Sequence, residues 1–287
     1  MFRGFCCNSG LLCDHSIDEA IDILAEEGYT GIEISLEKSP PFLPVPAPHM
    51  SPEDGVARRE SVRQHAEEAG VTIAAVNAHT NLIAGHPEDR RANFEFLEGA
   101  IGVAADLGAG CVVMGCGVKT MYDYERNYWD AAVNAYRELL AVAEPLGVTL
   151  TVEAGSIPGN LVRNLETIQR FLAQDGLDAV RVIFDPSHYL VRGNDVAEVF
   201  RELASRIVHV HLKDARGDQE DFEFPPMGQG AVDFDALLKA IVDCEYRGFL
   251  SVEYEAMVWG YPNEARTVLR ESKTFIERAL SRVTGSE

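Results

Sequence analysis

Four residues far apart in the chain share one chemistry. Glu153, Asp185, His211 and Glu253 each end a short apolar run: TLTVE, VIFD, IVHVH and FLSVE. Brought to one place, three carboxylates and an imidazole would repel one another and resist ionisation away from water unless a cation sat among them. One divalent metal ion is the simplest compensation. Oxygen-rich ligation with a single nitrogen favours Mn2+, Mg2+, Co2+ or Zn2+ and argues against soft copper sites. Taken singly, each residue is equally well read as a cap or an ion pair. In VIFDPSHYL, for example, Asp185 reads as a cap on the following turn and His188 as a surface residue.

Strand parity favours the metal reading for the four together. Alternate side chains of a strand face opposite ways. Leu150 and Val152, Val182 and Phe184, Val208 and Val210, and Leu250 and Val252 define an aliphatic parity that suits contact with helices. Glu153, Asp185, His211 and Glu253 fall on the other parity, inward, at the C-terminal ends of consecutive strands. His188 then overhangs the same site. Glu33 in GIEIS and His79 in VNAHTN match in parity and position, and each is also readable as a satisfied polar residue of the interior. Lys213 and Arg216 follow His211 and are suited to bind a substrate oxygen or stabilise developing negative charge. His209, one layer deeper, reads as structural.

The elements needed to position these residues recur along the whole chain. RGFCCN (3–8), TGIEIS (30–35), TIAAVNAH (72–79), CVVMGCG (111–117), TLTVEAG (149–155), VRVIFD (180–185), IVHVHLKD (207–214) and FLSVEYEA (249–256) read as strands. Helical patterns such as SIDEAIDILAEEG, ARRESVRQHAEEAG, DVAEVFRELASR and NEARTVLRESKTFIERALSR lie between or after them, with no low-complexity linker. Eight βα units predict an α/β protein, a (β/α)8 TIM barrel forming a single domain over 1–287, because closure leaves no sheet edge exposed. An open doubly wound sheet is the competitor, but GFCCNSG after the first strand lacks the GxGxxG pattern. Two irregular stretches that follow strands, 37–50 and 215–233, are expected to overhang the mouth as lids.

Composition narrows the partners. The chain has 287 residues, 46% of them hydrophobic, enough for a large core. Its 46 acidic and 25 basic residues give a net charge of −21, which disfavours nucleic acid, since that binding draws on Lys and Arg neutralising phosphates. No apolar run reaches signal-peptide or membrane-span length, so a cytoplasmic protein that does not bind membrane is expected. Six cysteines without a CxxC pair read as reduced and mostly buried thiols. No Gly-rich phosphate cradle follows strands seven and eight, which favours a non-phosphorylated substrate.

EAGSIPGN, FDPSHYL, VHLKDARG, GQGAVDF and SVEYEA, in this order, resemble the xylose isomerase-like TIM-barrel superfamily of sugar phosphate isomerases/epimerases. The resemblance covers nearly the whole chain. It implies a metal-dependent enzyme acting on a small sugar or polyol, often as a homodimer or homotetramer. In its ketose 3-epimerases a Glu, Asp, His and Glu bind one Mn2+-type ion, and the two glutamates exchange protons with the sugar. Those roles would fall on Glu153, Asp185, His211 and Glu253, with His188 and Arg216 touching substrate oxygens. The chain departs from that pattern at Gly159, where those epimerases carry a further Glu, and its Arg216 lies one residue nearer the metal His than theirs. HLKD followed by a Pro/Gly-rich loop also resembles inosose dehydratases. The endonuclease IV branch, which uses three zinc ions and many histidines on abasic DNA, fits poorly with eight histidines and this net charge. The expected function is therefore isomerisation or epimerisation of a keto sugar through a cis-enediolate, with Glu153 and Glu253 as the acid/base pair. The alternatives are dehydration on the same site and noncatalytic sugar binding.

Overall fold

The computed structural model describes residues 2–36, 47–119 and 125–285. Eight parallel strands close into a barrel: β1 (Gly4–Asn8), β2 (Gly31–Ser35), β3 (Thr72–Asn77), β4 (Cys111–Val113), β5 (Thr149–Glu153), β6 (Arg181–Phe184), β7 (Ile207–Leu212) and β8 (Phe249–Val252). Each pairs with its neighbour in chain order, and β8 closes on β1 through Gly4 opposite Phe249 and Cys7 opposite Val252. All eight strands start within one residue of the sequence expectation. The expected spans run on past several strands into the loops that carry function.

Helices follow the strands: α1 (Ile17–Glu26), α2 (Val56–Ala69), α3 (Pro87–Leu107), α4 (Glu125–Ala143), α5 (Leu165–Leu172), α6 (Pro186–Leu190), α7 (Val196–Leu203), α8 (Phe234–Asp243) and α9 (Ala265–Thr284). Local chemistry starts them. Ser16 and Glu19 form a reciprocal capping box on α1, while Asp195 and Asp233 accept from backbone N–H groups of the first turns of α7 and α8. Two helices, α5 and α6, were not expected from periodicity. The first is short and is started by an Asn164 cap, and the second is a single turn opened by Pro186.

Two apolar layers follow from the parity. Leu150, Val152, Val182, Phe184, Val210, Leu212, Leu250 and Val252 join the main core between strands and helices. Ala75, Cys111, Val113 and Ile183 fill the barrel interior, and Cys6, Ala74 and Phe249 pack as a separate small cluster. The interior is capped toward the C-terminal end by a polar layer, so chemistry collects at that end of the barrel. All six cysteines are unpaired, with Cys6, Cys7, Cys111 and Cys116 buried. Among the described residues no helix is long and apolar enough to cross a membrane.

Of the two expected lids, most of the first falls at 37–46, outside the described residues. The second, after β7, contains a two-residue antiparallel pair, Arg216–Gly217 with Phe222–Glu223.

Candidate metal centre and its mouth

His211, the penultimate residue of β7, organises the site. Its Nε2 donates to Glu33 Oε2 at 3.0 Å. That bond turns Nδ1 toward the mouth, 3.0 Å from Glu153 Oε1, 3.3 Å from Glu253 Oε2 and 3.9 Å from Asp185 Oδ2. Donor atoms of Glu153, Asp185, His211 and Glu253 all lie within 4.8 Å of one another. Their four strands are adjacent in the barrel. The two glutamates come from the outer strands, β5 and β8, and Asp185 and His211 from the strands between.

Whether these residues fit a metal ion is tested by the surroundings of their donor atoms. Glu153 Oε1, Asp185 Oδ2 and His211 Nδ1 are buried, and their close contacts are charged ones, with one another and with Lys213 Nζ. Carboxylate oxygens crowded around one buried space match a donor set shaped for a cation. Asp185 shows how one side chain serves two purposes. Its Oδ1 accepts from the Ser187 backbone N–H at 2.8 Å and from Ser187 Oγ at 2.6 Å, capping α6. Its Oδ2 faces His211. The cap and the candidate ligand are therefore the two oxygens of one carboxylate.

Charge is strongly concentrated here. Burial alone would raise the Glu33 carboxyl, but the imidazoles of His211 and His209 outweigh it and hold the group at about 2. Glu153 and Glu253 are likewise pushed down against burial, Glu153 by His211 and His79 and Glu253 by His211 and Lys213. Burial disfavours the charged form of His211, yet Glu253, Glu33 and Glu153 raise it well above the usual histidine range. Lys213, also buried, is raised by Asp185, Glu253 and Glu255. Its Nζ lies 2.9 Å from Asp185 Oδ2 and 2.5 Å from Glu253 Oε2.

The other expected site residues are placed differently from one another. His79 Nε2 lies 2.8 Å from Glu153 Oε2, beside the cluster. His188 Nε2 is 3.5 Å from Asp185 Oδ2, and its ring meets Phe224 edge-on with centroids 5.7 Å apart. Glu33 is fully buried beneath His211, and both of its oxygens are taken. His209 Nε2, His211 Nε2 and Ser251 Oγ donate to Oε2, and Asn8 Nδ2 donates to Oε1 at 2.9 Å. That position suits holding His211 rather than meeting a substrate. Arg216 is half-exposed on the second lid, where it pairs with Glu223 and donates to Tyr261 Oη at 2.8 Å. The structure does not bring it into the cluster.

Three features were missed in the sequence. Asn8, ending β1, touches Glu33 and reaches Glu253 Oε1 at 3.4 Å; its signal was a polar residue closing an apolar strand. Glu255 shares the parity of Glu253 and stands one layer outward, 2.9 Å from Lys213 Nζ. Asp214 anchors the second lid: Oδ1 accepts from the N–H groups of Ala215 and Val232, and Oδ2 from those of Gly228 and Gly230. A Cβ at Gly230 would stand 2.2 Å from Asp214 Oδ1, so this approach requires glycine. The anchored loop brings Phe222 and Phe224 against Trp259, which makes one aromatic wall of the mouth.

A closed parallel barrel with a carboxylate and histidine set, a candidate metal site, at its C-terminal mouth defines the class of protein. The chain belongs to the xylose isomerase-like TIM barrel family, which matches residues 21–279. It is 26% identical over 187 residues to an inosose dehydratase of Geobacillus kaustophilus, covering 59% of this chain and spanning 58% of the dehydratase's length. It is 24% identical over 266 residues to a fructoselysine 3-epimerase of Shigella flexneri, covering 91% of this chain and 93% of that protein. Among solved structures, a D-tagatose 3-epimerase-like protein superposes with a TM-score of 0.78 at 20% identity, covering 98% of both chains. The IOLI protein with a bound zinc atom superposes at 0.77 and 19% identity, covering 98% of this chain and 99% of that one.

Proposed function

We propose that residues 1–287 form one catalytic domain, a divalent-metal-dependent isomerase or epimerase of a non-phosphorylated keto sugar, working in the cytoplasm as a homodimer or homotetramer. The convergence of donor atoms from Glu153, Asp185, His211 and Glu253 within 4.8 Å of one another carries the metal part of this reading. Glu153, Asp185, His211 and Glu253 would hold the ion, Mn2+ first. When bound, the ion supplies polarisation of a substrate carbonyl, which acidifies the neighbouring C–H.

The protein's own residues supply the rest. Glu153 and Glu253 enter from opposite ends of the four-strand row and are both held ionised, so either can accept a carbon-bound proton. One glutamate, as carboxylate, takes the proton to give a cis-enediolate; the other, having gained a proton from solvent, returns it, and the first sheds its proton to solvent to complete the cycle. Return to the opposite face of the same carbon gives an epimer; return to the adjacent carbon gives an isomer. His79 holds the second oxygen of Glu153, and the buried Lys213 and the neighbouring His188 face the developing negative charge from beside Asp185. The aromatic wall of Phe224 and Trp259 shields the mouth from water.

Dehydration is the second reading, and Gly159 supports it. Its φ is +101°, and a Cβ there would come within 3.2 Å of Val118 Cγ1 and 3.4 Å of Lys119 O. A glutamate at this position, as the epimerases of the resemblance carry, would be strained, so substrate contacts on that side differ. The similarity to inosose dehydratase points the same way. Proton NMR of ketoses, aldoses and inososes incubated in heavy water with the Mn2+-loaded protein separates the readings. Deuterium beside the carbonyl with an accumulating epimer or isomer supports the first. Loss of water supports the second. No exchange with any substrate contradicts both and favours a sugar-binding barrel.

A further inference from the structure

Lys213 is a cation already lodged among the oxygens that a metal ion would use. It follows His211 by two residues, shares its inward parity and is 4% exposed. Its Nζ approaches Asp185 Oδ2 at 2.9 Å and Glu253 Oε2 at 2.5 Å, the same oxygens that face His211 Nδ1. An incoming divalent ion therefore shares two of its oxygens with an ammonium. A third carboxylate, outside the ligand group, also touches Lys213: Glu255 Oε2, at 2.9 Å. Glu255 stands one layer outward on the adjacent strand's continuation, since Ser251 pairs with His211 and the register carries Glu253 beside Lys213. Its side chain is 37% exposed, against 13% for Glu253. The Phe224 ring, with Nζ 4.8 Å from its centroid, covers the ammonium from the lid side.

We propose that Lys213 and Glu255 form a charge latch for the metal centre. Lys213 neutralises Asp185 and Glu253 while no divalent ion is bound, and it opposes binding of that ion. Glu255 retains the ammonium at the rim once its two inner oxygens are taken. A buried carboxylate pair left without any cation is costly, and like charges sharing oxygens repel, so one residue both preserves the empty site and lowers its affinity. The latch rests on the four-residue ligand set proposed above.

The test is calorimetric titration with Mn2+, alongside melting curves with and without the ion, for four chelator-treated proteins: wild type, Lys213→Met, Glu255→Gln and the double variant. The latch predicts that Lys213→Met binds Mn2+ about tenfold or more tightly while the metal-free protein melts lower. Glu255→Gln, at the half-exposed rim, is predicted to bind about fivefold more weakly, and this loss shrinks in the Lys213→Met background because Glu255 acts through the ammonium. Unchanged or weaker binding by Lys213→Met overturns the latch. So does an equal effect of Glu255→Gln in both backgrounds, which would make Glu255 a general surface charge. Should Lys213→Met fail to fold without metal, Glu255→Gln decides alone, and unchanged affinity there overturns the latch. Absence of Mn2+ binding by the wild type would instead overturn the ligand set itself.

Discussion

The two halves of the barrel mouth are built from the same kind of strand and loop but carry different chemistry. Glu153, Asp185, His211 and Glu253, at the C-terminal ends of strands β5 to β8, turn their side-chain atoms toward one another. Asn8 at the end of β1, Glu33 in the middle of β2 and His79 after β3 direct polar atoms at the first group: Asn8 at Glu253, Glu33 at His211, and His79 at Glu153. One half presents donors, and the other fixes their orientation. A histidine whose second nitrogen is held by a carboxylate is turned and polarised by it, and Glu33 stands in that position behind His211.

Mutations sharpen this contrast in order of size. Glu153→Gln or Glu253→Gln, in the presenting half, is expected to lower kcat by about 10³-fold or more with melting temperature little changed, because each removes a proton carrier and a ligand. Near-normal turnover would break the assignment. Glu33→Gln, in the supporting half, should weaken Mn2+ binding by about 10- to 100-fold through loss of the hold on His211, as read by calorimetry. An effect equal to that of Asp185→Asn would erase the distinction between the halves. Asp214→Asn leaves both halves intact and frees the lid. Faster amide exchange and proteolysis confined to 215–233 are expected, with KM raised several-fold, since charge-assisted bonds to four backbone N–H groups are weakened. Arg216→Ala should leave the melting temperature nearly unchanged, because its pair with Glu223 is exposed. Its effect on KM measures whether the arginine meets a substrate at all.

Strand positions and the inward set were legible in the sequence because both rest on a period of two, which survives from Thr149–Glu153 to Phe249–Val252. The helix α5 was not legible, because eight residues give too few turns to show periodicity and its start depends on the Asn164 cap. Asp185, readable alone as a cap, reads together with the other three as a ligand. The structure shows the cap on Oδ1 and turns Oδ2 toward His211 and Lys213. Glu33 had the parity of a mouth residue, but parity tells the face and not the depth. Depth depends on the stagger of neighbouring strands, and the shift between Ile32 and Glu33 in the β2 and β3 pairing alters it locally. Arg216 turned away for a similar reason: its direction is set by Glu223 and Tyr261, distant in sequence.

Anomalous diffraction from a manganese-loaded crystal tests the central claim most directly. One peak bonded to Glu153, Asp185, His211 Nδ1 and Glu253, with Glu33 still hydrogen-bonded to His211 Nε2, is the result the account predicts. A peak held instead by Glu33 and His209, or no peak at the mouth of a protein that has bound the ion elsewhere, would contradict it.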